Sequence, residues 1–425
     1  MRRYVWLPVS LFLALRLAGA LLDNGSTAAS VRLVPIPSGS HWVATWGASP
    51  QPATPGTLSE PGFRDATIRE VVMTSAGGVR VRVRLSNAFG SAPLRIGRVG
   101  IAFQAHGAGT LTGTATPVYF GGRRSVLIPP GAEATSDPVP LAVGPATHLA
   151  VSIYLPGPTG RATQHVDAEQ VNYVAAGMHV ASGAGPFRAH THSWYFLSGV
   201  DVLSPRRTLG SVVALGDSIT DGVGSPTNED ARWPNFLAAR LNANAGASLG
   251  VVDEGIGGNR VLNAAPCCGP SAIARFERDA REQSGARDVI LLEGINDIGY
   301  SRSHGLFTAP HTEVSALQIV EGYERIVTLA HTAGLKIFGA TLTPFQGARY
   351  WTPLGEADRE AVNHWIRTSG VFDGVIDFAS AVADPEDPER LNPAYDSGDH
   401  LHPNAAGYRA MAAAVNLTTL LGAGL

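Results

Sequence analysis

The residues of this 425-residue chain that could do chemistry fall in four short segments of its second half. The first reads Gly216-Asp217-Ser218-Ile219-Thr220-Asp221-Gly222. A serine held at a strand-to-helix turn can stand exposed, with nearby backbone N–H groups free to bind an oxyanion. Gly-Asp-Ser is also ordinary turn chemistry. The second, Glu254-Gly255-Ile256-Gly257-Gly258-Asn259-Arg260, is glycine-rich. Such a run lets backbone approach a ligand closely, or simply closes a tight turn. The third, Glu293-Gly294-Ile295-Asn296-Asp297, offers a side-chain amide that could donate to the same oxyanion; an Asx turn or helix cap would use the same residue. The fourth, Asp399-His400-Leu401-His402-Pro403-Asn404, sets a carboxylate and two imidazoles on one loop.

A serine nucleophile needs a base to take its proton. The base needs a carboxylate to fix its tautomer and stabilise the imidazolium. Asp399 and His402, three residues apart, can supply both. His400 competes for the role of base, but it adjoins Asp399 in sequence and cannot face it easily, so His402 is favoured.

Taken together and in this order, the four segments resemble the SGNH (GDSL-type) hydrolase family over about the last 220 residues. Gly216-Asp217-Ser218 matches the block that holds the nucleophile. Gly258 falls on the glycine of the second block and Asn296 on the asparagine of the third. Asp399 and His402 match the last block. The resemblance implies a three-layer α/β/α fold and a catalytic triad of Ser218, Asp399 and His402. It also implies an oxyanion hole built from the Ser218 and Gly258 N–H groups and the Asn296 side chain, with no metal and no other cofactor. One departure stands out. Second blocks often begin Asn-x-Gly and carry Ser before the key glycine; here Asp253 and Gly257 hold those places. The oxyanion glycine therefore stays open among Gly255, Gly257 and Gly258.

The implied function is a serine esterase that cleaves carboxylic esters through an acyl-enzyme. Acetylated carbohydrates, other polysaccharide esters, short-chain acyl esters and lipids are the candidate substrates. Two rivals remain: an O-acyltransferase using the same triad, and a carbohydrate-binding protein whose N-terminal half does the work.

These residues need elements to hold them. From about Ser204 onward short apolar stretches alternate with helical patterns. Strands are predicted at Ser211–Leu215, Gly250–Val252, Val289–Leu292, Ile337–Thr341 and Val375–Asp377. Helices are predicted at Pro234–Leu241, Ile273–Gln283, Val314–Ala333, Ala357–Thr368 and Ala405–Leu421. That rhythm implies a parallel sheet covered on both faces, with ligands bound at the carboxyl ends of its strands. Before Ser204 the rhythm is different. Val79–Leu85 alternates apolar and charged residues, and Val99–Phe103, Ser125–Ile128 and Leu149–Leu155 read as further strands. Pro- and Gly-rich turns separate them, as in a β-sandwich. The expected organisation is a signal peptide over 1–20, a linker over 21–40, a β-sandwich-like domain over 41–203 and a hydrolase domain over 204–425. The β part is similar to the extra domain of some secreted SGNH hydrolases.

Composition narrows the partners. With 32 Lys+Arg against 35 Asp+Glu the net charge is −3, and no basic block stands out, which argues against nucleic acid. Arg2 and Arg3, the apolar run Tyr4–Leu15 and the small residues Ala18-Gly19-Ala20 read as a cleavable export signal. Arg16 interrupts the run before it reaches the roughly 20 residues a spanning helix needs. The expectation is a secreted protein, extracellular or periplasmic, without stable membrane insertion. Its two cysteines, Cys267 and Cys268, are adjacent. In an oxidising compartment they could pair; the alternative is two buried thiols. His190-Thr191-His192 lacks further ligands nearby and is read as a surface segment. Asp221 is expected to cap a helix or shape the pocket, and Trp233 to pack in the core.

Overall fold

The computed structural model describes residues 34–244, 246–304, 308 and 311–422. The export-signal segment lies outside them. Among the described residues, no helix is long and apolar enough to cross a membrane.

Five parallel strands form the sheet of the C-terminal half: β1 (Thr208–Gly216), β2 (Ser248–Gly255), β3 (Ala286–Leu292), β4 (Lys336–Ala340) and β5 (Gly374–Ile376), in the spatial order β2-β1-β3-β4-β5. Val212, Val213, Ala214 and Leu215 are fully buried, as a central parallel strand requires when both faces are covered. The covering helices are α1 (Ser218–Asp221), α2 (Trp233–Ala243), α3 (Ala272–Phe276), α4 (Ile295–Ser301), α5 (Ala316–Thr332), α6 (Pro353–Thr368), α7 (Phe378–Val382) and α8 (Ala405–Ala414). Their starts are marked chemically. Ser315 and Gln318 form a capping box on α5, Thr352 caps α6 with Pro353 at its first position, and Asn404 caps α8. The result is the α/β fold with a parallel sheet that the sequence predicts.

Two predicted helices differ. The segment Ile273–Gln283 starts as α3, then widens into a π turn over Glu277–Arg281. Such a turn changes which side chains share a face, and here Arg275, Arg278 and Asp279 gather on one side. The last helix does not run unbroken to Leu421. It stops at Ala414, and Asn416 starts a new turn by accepting hydrogen bonds from the Thr418 and Thr419 N–H groups. Asn416, the head of an Asn-Leu-Thr glycosylation pattern, is thus exposed at a helix junction rather than buried within a helix.

The N-terminal half is antiparallel. One sheet has four strands, ordered His41–Gly47, Leu197–Ser204, Val81–Ser86, Glu133–Thr135. The other has six and is centred on Ala66–Met73 and His148–Leu155. Val81, Val83, Leu85, Ile68, Val151 and Ile153 are fully buried between them, which is the sandwich pattern. The strand Leu197–Ser204 leads almost directly into β1. The halves also touch through hydrogen bonds such as Ala44 N–H to Ser284 O (2.7 Å) and Val251 N–H to Ser75 Oγ (2.8 Å). Val34–Leu425 forms one compact unit.

Candidate active site

All four sequence segments sit at or beyond the carboxyl ends of strands in the parallel sheet. Ser218 follows β1 and opens α1. The Asp217 carboxylate caps that helix, accepting from Ile219 N–H at 2.9 Å. Gly222 ends α1 in the left-handed conformation, φ 96°. The nucleophile candidate is thus pinned in a single tight turn.

His402 reaches Ser218 from the loop before α8. Its Nε2 lies 2.8 Å from Ser218 Oγ, and its Nδ1 lies 2.5 Å from Asp399 Oδ2. Asp399 Oδ1 also accepts from the backbone N–H groups of Leu401 (3.0 Å) and His402 (2.8 Å). Its partial burial would raise its pKa. The hydrogen bonds from the His402 ring and backbone outweigh that and hold the carboxyl well below the usual range. Asp399 therefore stays ionised and fixes the imidazole with Nδ1 protonated and Nε2 facing the serine. His400 is placed elsewhere. Its Nδ1 pairs with Asp396 Oδ2 at 2.6 Å, so the geometry puts His402, not His400, on the serine.

The three glycines of the second segment differ in their surroundings. A Cβ at Gly255 would stand 2.2 Å from Asp221 N, so this glycine lets α1 lie against β2. A Cβ at Gly257 would make only an ordinary contact, with Asp221 Oδ2 at 4.0 Å. Gly258 takes φ +74°, and a Cβ there would meet Cys268 Sγ at 2.7 Å and Tyr300 Oη at 3.2 Å. Asn296 lies in the first turn of α4. One of its amide hydrogens goes to Asn259 O at 3.0 Å, and its Oδ1 accepts from Tyr350 Oη–H at 3.2 Å. Those two bonds fix the amide plane and leave its second N–H available. Cys267 and Cys268 are joined as a disulfide, and Cys268 is buried beside Ile256. His190 and His192 are exposed, and Trp233 is fully buried.

Beneath this layer lies a buried polar network that sequence reasoning missed. Arg275 is its hub. Its guanidinium donates to Gly216 O (2.8 Å), Glu254 O (2.7 Å), Asn259 Oδ1 (2.9 Å), Ser49 Oγ (2.9 Å) and Asp279 Oδ2 (3.2 Å). Glu293 lies 3.5 Å away with no exposed side-chain surface. Burial drives the pKa of Glu293 and of Glu254 well above the carboxylate range, and lifts Asp217 to about 7. One positive charge thus holds together the ends of β1 and β2 and the loop after β2. Asp221 also has a partner that no motif suggested: His165 of the β half, at 3.0 Å. An arginine in a helical stretch and a histidine in the two-residue strand Gln164–His165 carry no spacing signal of their own.

Residues 214–410 match the family model described as "GDSL-like Lipase/Acylhydrolase family". No curated protein matches the chain. Among solved structures, it is similar to a GDSL-like lipase from Bacteroides thetaiotaomicron, at 18% identity over 50% of this chain and 88% of that one, TM-score 0.37. It is similar to a carbohydrate acetylesterase family member from Sinorhizobium meliloti, at 18% identity over 51% and 99%, TM-score 0.39. It is also similar to an acetyl xylan esterase, at 18% identity over 48% and 96%, TM-score 0.35.

Proposed function

We propose that residues 214–410, which match the GDSL-like lipase/acylhydrolase family model, form a carboxylic ester hydrolase in which Ser218, His402 and Asp399 are the catalytic triad, with Ser218 N–H, Gly258 N–H and the Asn296 amide as the oxyanion hole. The observation that carries this reading is the continuous line from Asp399 through His402 to Ser218, with contacts of 2.5 and 2.8 Å. Ser218 Oγ attacks the ester carbonyl as its proton passes to His402 Nε2. The three donors hold the charge that builds on the carbonyl oxygen. The imidazolium, steadied by Asp399, returns the proton to the leaving alcohol. Water then repeats the sequence on the acyl-enzyme.

The substrate we propose is a short acyl group on a polyhydroxylated alcohol. On the acyl side, Cys268 Sγ and Tyr300 Oη already fill the space where a side chain at Gly258 would begin, and walls this close to a proposed oxyanion donor suit a small group such as acetyl. On the alcohol side, the loop that carries the base also borders a cavity of about 340 Å³. Gln346, Asp384, Arg390, Asp396 and His400 line it. Its charged and amide groups suit hydroxyl-rich partners better than lipid tails. Secretion fits the bonded Cys267–Cys268 pair, since disulfides persist in oxidising compartments.

The test pairs a fluorophosphonate probe with Ser218→Ala. The wild-type protein should be labelled at Ser218 and lose its esterase activity. Ser218→Ala should be unlabelled and slower by on the order of 10⁴-fold or more. Wild-type hydrolysis by Ser218→Ala ends the reading. Arg390→Ala should raise KM for an acetylated oligosaccharide and leave p-nitrophenyl acetate unchanged. Equal effects on both would remove the cavity from the substrate proposal.

A further inference from the structure

Resting on the assignment of Ser218 as nucleophile, we infer that the N-terminal β half is part of the catalytic apparatus: His165 and Ser49, both from that half, are positioning residues that hold the nucleophile turn and tie it to the oxyanion-hole amide.

The hydrogen-bond chain can be followed atom by atom. His165 Nε2 lies 3.0 Å from Asp221 Oδ1, at the far end of the one-turn helix that Ser218 opens. His165 Nδ1 lies 3.0 Å from Ser49 O. The Ser49 hydroxyl donates to Glu254 Oε2 at 2.8 Å and accepts from Arg275 at 2.9 Å. Arg275 holds Gly216 O, two residues before the nucleophile, and Asn259 Oδ1. Asn259 O receives the Asn296 amide. Two β-half residues thus bridge the end of the nucleophile turn to the strand end before it, and through Asn259 to Asn296.

The ring nitrogens fix the protonation state of the bridge. A carbonyl oxygen and a carboxylate oxygen can only accept, so His165 makes both bonds only as the doubly protonated imidazolium. Both side chains of the pair are almost fully buried, at 3% and 4% exposure. Burial alone would lower the His165 pKa; the Asp221 charge, its hydrogen bond and the Ser49 carbonyl together raise it. The groups facing it are Asp221 from α1, Arg232 just before α2, Asp253 on β2, Asp167 two residues on, and the Trp194 ring at 5.5 Å. The facing backbone is unusual as well. Asp167 and Glu169 on the β half, and Asn228 and Asp230 on the segment after α1, all have positive φ. Asn228 N–H bonds Glu169 O at 2.9 Å, and Val171 N–H bonds Asn228 Oδ1 at 2.8 Å. Four non-glycine residues in a costly conformation persist only where the surroundings over-determine them.

The full-length chain is the test object, with His165→Gln, Ser49→Ala and the double variant His165→Gln/Asp221→Asn. Both N–H groups of a glutamine sit on one nitrogen, so they do not span the two acceptors that the separate ring nitrogens of His165 meet, and the turn loosens. His165→Gln should lower kcat for p-nitrophenyl acetate about 10–100-fold, with KM within about twofold. The fluorophosphonate inactivation rate should fall in parallel, and Ser49→Ala should move the same way by less. The imidazolium is present below the raised His165 pKa and lost as pH climbs through it. Wild-type kcat should therefore have a descending alkaline limb that His165→Gln lacks. The double variant keeps one neutral hydrogen bond, so it should regain part of kcat, still without that limb. If His165→Gln fails to fold, the double variant's alkaline limb decides. Wild-type kcat in His165→Gln, a loss confined to KM, or an alkaline limb that survives in the double variant would overturn the inference. Activity surviving in Ser218→Ala would instead overturn the assignment of the nucleophile.

Discussion

The two sides of the proposed active site are held by opposite means. The base side is local and wet. Asp396, Asp399, His400 and His402 share one loop, the Asp399 side chain is half exposed, and its hydrogen-bond partners lie within three residues. The nucleophile side is long-range and dry. Its supports, Ser49, His165, Asn259 and Arg275, come from both halves of the chain, and the bonds that count span up to 226 residues. A base that must swing a proton between serine, leaving group and water suits a loop at the solvent edge. An oxyanion hole works only if its donors are in place before charge develops, and that demands a rigid, buried scaffold.

Substitutions on each side sharpen the contrast. The largest effect should come from His402→Ala, which removes the proposed base and should cost on the order of 10⁴-fold in kcat or more. Because the loop is self-contained, the thermal midpoint should barely move; a drop of many degrees would show that the loop too supports the fold. Asn296→Ala should cost about 10²–10³ in turnover, measured as kcat with saturating ester. A change in KM alone would remove that amide from the oxyanion hole.

Next in size is stability. Arg275→Met leaves Arg278 as the only guanidinium on Asp279 and strips the donor from the buried Gly216, Glu254, Asn259 and Ser49 oxygens, and should destabilise the protein by about 3–5 kcal/mol in chemical unfolding. Its surface counterpart on the same stretch, Arg281 beside Glu277, is more than half exposed on both partners; Arg281→Ala should cost no more than about 0.5 kcal/mol. Equal costs would mean that the buried hub is not what binds the strand ends. The smallest effect belongs to His400→Ala. Its imidazole pairs with Asp396 away from Ser218, so kcat for p-nitrophenyl acetate should stay within about twofold, as expected for a side chain outside the reacting line. Loss comparable to His402→Ala would make His400 the base.

The same contrast explains what the sequence made legible. The parallel sheet showed because β1, β3 and β4 are short continuous apolar runs between helical patterns. The triad candidates showed because turn chemistry at Ser218 and the i,i+3 spacing of Asp399 and His402 are local signals. The interruption of the last helix was missed because Asn416 reads as an ordinary helix residue until its side chain is seen capping Thr418 and Thr419. The π turn after Phe276 left no mark in periodicity. His165, Ser49 and Arg275 were illegible for a deeper reason: their importance lies in partners brought together by tertiary contact, and a histidine in strand Gln164–His165 looks like any other. Of the three glycines at and just beyond the end of β2, only structure could separate one that admits helix α1 from one that turns the chain beside Cys268.

The most direct measurement is rapid-quench mass spectrometry of the full-length protein mixed with p-nitrophenyl acetate, followed by peptide mapping. An acetyl group on Ser218, accumulating within the burst and absent from Ser218→Ala, is the predicted result. Acetyl on another residue, or a full burst from Ser218→Ala, would contradict the account.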